Sequence, residues 1–172
     1  VETLAVVPWL IEHGAAAYKA IGTEKSPGTK LFSVSGHVQR PGVYEIPMGI
    51  PMMQFINDYA GGLLPGRTMK AVIPGGSSVP VMTPAEVEIC SMDYESINTN
   101  AGSYLGSGGM IVMDDTTDLV AALTNLLRFY AHESCGQCTP CREGCGWMHQ
   151  ILIRVRDGEA SEVDLTTLRE LA

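Results

Sequence analysis

Hydrophobic positions change their rhythm three times along this chain of 172 residues. The opening ETLAVVPWLIEHG puts Leu4, Val7, Leu10 and Ile11 on one stripe at helical spacing, with Gly14 placed to end the helix in a left-handed turn. From Thr29 the pattern becomes short β-type runs cut by turn residues: KLFSVSG, QRPGVYEI, MKAVIPGG, SVPVM and GGMIVMDD. Pro41-Gly42 sits where a strand-to-strand turn is needed. Between the second and third runs, PMMQFINDYAGG predicts a helix with Met53, Ile56 and Tyr59 on its stripe and Gly61-Gly62 stopping it. A strand pair, a helix and further strands make an α+β layout, and one helix laid across a small mixed sheet is the β-grasp arrangement.

Helical rhythm returns after Asp114-Asp115, where Leu119, Ala122, Leu123, Leu126 and Tyr130 share a stripe that leads into a cysteine-rich loop. Pro140 suits the first turn of the next helix with Thr139 as its cap, and Trp147, Ile151, Leu152 and Val155 continue a stripe as far as Gly158. Ser161 to Asp164 predicts the capped start of a last helix. The chain contains no internal repeat and no low-complexity segment.

Composition narrows the function classes. With 45% hydrophobic and 17% charged residues, the chain can build one or two small domains with a real core. Its formal charge of −8 comes without any basic stripe, which argues against nucleic acid as a partner. No run approaches the roughly eighteen uninterrupted apolar residues of a spanning helix. The opening Val1-Glu2-Thr3 lacks Met and runs straight into a helix, so it reads as a segment of a longer polypeptide.

Four of the five cysteines lie between Cys135 and Cys145, and Cys90 stands alone. An odd, clustered set is a poor disulfide framework, and no charged stretch, apolar run and cleavage site open the chain. Both point to a reducing, cytoplasmic compartment. Cys135, Cys138 and Cys141 in ESCGQCTPCREG have the C-x2-C-x2-C spacing that wraps soft thiolates around an iron–sulfur cluster. Cys145 follows with the spacing of the ferredoxin run, but Gly146 stands where that run has proline, so Cys145 is either a ligand or a small packed side chain. The competing readings are a zinc site completed by Cys145, His132 or His149, and a redox dithiol.

The helix beginning near Pro140 offers its positive end to an anionic guest. Arg142 adds a cation there, or pairs with Glu133 or Glu143 on the surface. Backbone N–H groups of Gly136 and Gln137 are candidates for contacts to cluster sulfur. The glycine-rich segments 75–78 and 106–109 match no nucleotide fingerprint and read as turns.

ESCGQCTPCREG with its following Trp-Met helix resembles the carboxy-terminal part of the NADH- and FMN-binding flavoprotein subunit of respiratory complex I, also called NADH:quinone oxidoreductase. VETLAVVP is similar to the tail of that family's Asn-Asn-Val-Glu-Thr segment. LFSVSGHVQRPGVYEIPMG and GSGGMIVMDD resemble the start and end of its ubiquitin-like domain. Related subunits occur in NAD-linked hydrogenases and formate dehydrogenases, and a β-grasp interaction module with a structural metal is the alternative of a different class.

The resemblance implies an α+β fold: a helical lead-in over 1–27, a ubiquitin-like β-grasp domain of soluble-ligand-binding type over 28–115, and an α-helical iron–sulfur-binding bundle over 116–172. It implies a 4Fe-4S cluster held by Cys135, Cys138 and Cys141, with the fourth ligand beyond Ala172 or replaced by Cys145. Thr3 is implied to lie on the FMN side of the intact subunit, whose FMN and NADH sites lie outside these residues. Electrons would pass from reduced FMN to the cluster and onward toward quinone. The implied partners are the other hydrophilic subunits of complex I, especially the 2Fe-2S thioredoxin-like subunit and the large iron–sulfur subunit. That would place the chain on the cytoplasmic side of the inner membrane, held there through the complex.

Overall fold

The computed structural model describes residues 1–172, and the chain divides into two compact units, Val1–Thr116 and Thr117–Ala172. In the first unit, β1 (Thr29–Gly36) and β2 (Gly42–Pro47) form an antiparallel hairpin with Thr29 opposite Pro47. After a helical segment come β3 (Met69–Ile73) and, much later, β4 (Gly109–Asp114). β4 runs parallel to β1, Ser33 lying opposite Gly109, and antiparallel to β3, so the sheet order is β2-β1-β4-β3. A central parallel pair flanked by antiparallel edges, with a helix between the hairpin and β3, is the β-grasp layout.

Alternation on β1 explains which face is covered, because Phe32 and Val34 are buried whereas Leu31 is 47% exposed. Onto that face packs the segment of α3 (Met52–Gln54) and the wider π-type turn Phe55–Tyr59. Its fully buried side chains are Met52, Phe55 and Ile56, with Ala60 just beyond. The predicted stripe of Met53, Ile56 and Tyr59 is therefore offset: Met53 and Tyr59 only border the core. Gly61 and Gly62 end the segment as expected, both at φ +78°, a region that favours glycine.

Other expectations need correction. The amino-terminal helix is two pieces, α1 (Glu2–Ala5) and α2 (Val7–Lys19), and Gly14 kinks the second at φ 81°, ψ 159° without ending it. SVPVM is not a strand. Pro80 has no N–H for a ladder, and only Met82 pairs, as an isolated bridge to Val72. Two short helices stand where no element was predicted, α4 (Pro84–Ile89) and α5 (Tyr94–Ala101). Thr83 and Glu86 form a reciprocal capping box for the first, Asp93 caps the second, and each helix anchors one fully buried side chain, Val87 and Ile97.

The second unit contains α6 (Leu119–Glu133), α7 (Cys145–Arg156) and α8 (Glu162–Leu171), with α7 packed against both others. Asp118 caps α6 by accepting from the Val120 and Ala121 amides. On α6 the buried positions are Thr124 and Leu127, while Leu119 and Leu123 of the predicted stripe are more than 40% exposed. Thr124 tolerates burial because its hydroxyl donates to the Val120 carbonyl. On α7, Ile151 and Leu152 are buried as expected, but Trp147 is 60% exposed.

At the start of α8, Asp164 accepts from the Ser161 amide and hydroxyl and from the Arg154 guanidinium. The guanidinium, and after it the Ser161 donors, hold the Asp164 carboxyl well below the usual carboxylate range. A depressed folded-state pKa gives a stabilising contribution that is complete above the ordinary value of 3.8 and fades as pH falls toward the depressed one. Amide exchange should therefore show α8 loosening progressively below about pH 4. In Asp164→Asn, α8 should be looser at neutral pH and lose most of that acid dependence.

Candidate metal centre

The cysteine loop runs from Ser134, the residue that ends α6, to a π-type turn at Pro140–Gly144 that passes directly into α7. Thr139 does not cap this helix. It already has helical angles, φ −54° and ψ −45°, and makes no side-chain capping bond. Cys135, Cys138 and Cys141 are exposed free thiols, and Cys145 is half-buried. The Cys145 amide donates to the Cys141 carbonyl, which puts the two thiols one turn apart on the same face. Burial, followed by contact with the Cys141 thiol, pushes the Cys145 thiol pKa up.

Two side chains shape the loop. The Ser134 hydroxyl accepts from the Gly136 amide at 3.3 Å and from the Cys141 thiol at 3.4 Å. Arg142 reaches back across the loop: its Nη1 donates to the Gly136 carbonyl at 2.8 Å, its Nη2 to the Thr139 hydroxyl at 3.5 Å and its Nε to Glu143 at 2.8 Å. Pairing with Glu143 was one expected role for Arg142, whereas the Gly136 contact and the part played by Ser134 were not read from the sequence. The small hydroxyl directly before Cys135 was the available signal. The Gly136 amide, an expected donor to cluster sulfur, contacts the Ser134 hydroxyl in this loop.

No three of the His, Cys, Asp and Glu side chains are gathered closely enough to hold a single metal ion. His132 instead contacts Glu133 at 2.9 Å. A structural zinc ion draws four ligands to about 2.0–2.3 Å of one point. Three free thiols at C-x2-C-x2-C spacing on one loop can each bind a different iron of a polynuclear guest. Their exposure, the absence of a disulfide and the adjoining positive helix end add to that fit.

In the first unit, Thr3 lines a cavity of about 610 Å3 with Glu2, Trp9, Tyr18, Lys25 and Lys30 among its walls. Glu2 is committed there, accepting from the Leu31 amide at 2.6 Å and pairing with Lys30 at 3.2 Å. The two glycine-rich segments are turns that bind each other: the Gly76 amide donates to the Gly109 carbonyl and the Ser107 amide to the Gly75 carbonyl. Those two amides are therefore committed within the fold, as the turn reading expects.

Comparison with known proteins agrees with both units. Residues 121–172 match the family described as the NADH-ubiquinone oxidoreductase-F iron–sulfur binding region, and residues 30–103 match the SLBB domain. The chain is 50% identical over 171 residues to the second F-type subunit of NADH-quinone oxidoreductase from Rhizobium meliloti (strain 1021), covering 99% of this chain and 40% of that protein. It is 47% identical over 172 residues to the F-type subunit of NADH-quinone oxidoreductase from Rickettsia bellii (strain OSU 85-389), covering 99% of this chain and 41% of that protein. A solved NAD+-reducing [NiFe]-hydrogenase in its H2-reduced state superposes with a TM-score of 0.83 at 34% identity, over 99% of this chain and 28% of the hydrogenase chain.

Fold and matches define the class: an SLBB β-grasp domain followed by an iron–sulfur-binding helical region of NADH oxidoreductases. Within that class the chain is similar, over 99% of its own length, to the carboxy-terminal region of the F-type subunits of NADH-quinone oxidoreductase. It spans about two fifths of the length of those curated relatives. No helix is long and apolar enough to cross a membrane.

Proposed function

We propose that the chain is an electron-transfer segment of a multisubunit NADH:quinone oxidoreductase, with Cys135, Cys138 and Cys141 holding a 4Fe-4S cluster. The observation that carries this reading is the loop of three exposed, unbridged thiols at the positive end of a helix, inside a region matching an iron–sulfur family. When bound, the cluster supplies one-electron transfer. The chain's own contribution is to present three thiolates from one short loop, to keep that loop folded through Ser134 and Arg142, and to place it between α6 and α7. By family resemblance the fourth ligand lies beyond Ala172, with Cys145, one turn from Cys141, as its possible substitute.

In this reading the domain limits are 1–27, 28–115 and 116–172, with the β-grasp part acting as a spacer and docking surface. FMN and NADH belong to a domain outside these residues, and the FMN-facing role of Thr3 rests on family resemblance alone. The partners are the 2Fe-2S thioredoxin-like subunit and the large iron–sulfur subunit, which hold the chain at the cytoplasmic face of a membrane. A homologous role in an NAD-linked hydrogenase is the second reading, favoured by the structural match.

Anaerobic incubation with ferric and ferrous iron, sulfide and a small thiol to occupy the fourth position tests the proposal. About four irons and four sulfides per chain, with a low-temperature EPR signal after dithionite reduction, are expected. Stoichiometric zinc without sulfide, or no metal at all, would overturn it.

A further inference from the structure

Arg142 and the two residues it reaches across the loop have a regular relation to the thiols. Gly136 follows Cys135, Thr139 follows Cys138, and Arg142 itself follows Cys141. One guanidinium therefore joins the three backbone segments that bear the candidate ligands, by donating to the Gly136 carbonyl and the Thr139 hydroxyl. A planar fork with donors on several edges can do this, whereas an ammonium on a flexible stem offers one point of attachment. The Arg142 Nε–Glu143 contact orients the fork, and at 45% side-chain exposure that ion pair adds little stability of its own.

We propose that Arg142 is a positioning residue for the cluster: its guanidinium fork clamps the loop from Cys135 to Cys141 in a compact shape before iron arrives. The inference rests on the cluster reading above for its purpose, but the clamp itself is a property of the metal-free loop. Ser134 closes the same loop from the other side by taking the Gly136 amide and contacting the Cys141 thiol. Gly136 is thus held at both its N–H and its C=O. Its φ of +78° is the conformation that turns the chain between the first two cysteines, and glycine adopts it without strain. Freed of the clamp, the loop would have to lose conformational freedom during cluster assembly, which weakens binding.

Arg142→Gln and Arg142→Lys separate the fork from the charge. In the metal-free chain, exchange of the amides from Gly136 to Arg142 should accelerate at least about tenfold in both variants, because neither bridges the Gly136 carbonyl and the Thr139 hydroxyl together. Amides of Phe32, Ile46 and Val72 in the β-grasp unit should keep their protection, which shows that the fold survives. With cluster loaded, both variants should lose iron to a chelator about tenfold faster than the parent chain, the scale seen when supporting groups around a metal site are removed. Only Arg142→Gln should also shift the reduction potential downward, since Arg142→Lys keeps a cation beside an anionic centre. Loop exchange within twofold of the parent in Arg142→Gln would overturn the clamp. If the parent chain takes up no iron while the loop exchange responds as described, the cluster reading fails and the clamp stands.

Discussion

Cys138→Ser is expected to reduce bound iron and sulfide to about a tenth of the parent content or less, while Cys145→Ser keeps both within about twofold. The contrast follows from where the two thiols stand. Cys138 is exposed at the middle of the loop, three residues from each neighbouring cysteine, and its thiol is unbridged. Serine there changes one atom at the surface. The helical unit should keep its far-ultraviolet signature, so any loss of iron reports the missing ligand and not unfolding. Cys145 is half-buried and lies one turn beyond Cys141, in contact with its thiol. Its position is that of a packed side chain, and serine of nearly the same size should leave the loop intact. Equal losses in the two variants would bring Cys145 into the ligand set and remove the need for an outside donor.

The candidate loop could be picked out because its information is short-range: three cysteines at fixed spacing, with glycine and proline between them, narrow the chemistry before any tertiary structure forms. Four of the five β-type runs are strands for a related reason, since alternation on KLFSVSG or GGMIVMDD is a local pattern. Pro80 should have removed the fifth. Short helices α4 and α5, six and eight residues long, were illegible by periodicity because neither completes enough turns to show a stripe. Their caps, Thr83 with Glu86 and Asp93, were the signals to read. The Arg142 clamp could not be read at all from spacing. It depends on the path of the loop, which brings the Gly136 carbonyl within 2.8 Å of a side chain six residues later.

Offset stripes have a different cause. LVAALTNLLRFY and PMMQFINDYA place apolar residues at adjacent positions, so two neighbouring faces satisfy the same helical period and packing selects between them. In α6 the chosen face includes Thr124 and leaves Leu123 outside. In the β-grasp helix it passes through Phe55, which the predicted stripe left out.

Phe55→Ala should accordingly destabilise the β-grasp unit by about 3–5 kcal/mol, the range for emptying a buried aromatic site. Phe55 is fully buried, and its ring stands 5.9 Å from Phe32 on β1, 6.1 Å from Tyr44 on β2 and 5.9 Å from Tyr59 on its own turn. The approach to Tyr44 is nearly edge-on, at 80°, an arrangement that adds about 0.5–1.5 kcal/mol to what burial supplies. One side chain thus connects the hairpin to the helical segment that crosses it. Against a domain stability of about 5–15 kcal/mol, its loss leaves the unit marginal or unfolded. Phe129→Ala is the control, because that ring is 54% exposed on α6 and its removal should cost about 0.5 kcal/mol or less. Native-state exchange at Phe32, Ile46 and Val72, read against urea, measures the β-grasp unit alone and avoids treating two units as one transition. If those amides lose less than about 1 kcal/mol of protection in Phe55→Ala, the neighbouring rings close over the cavity, and the core centres on Met52 and Ile56 instead.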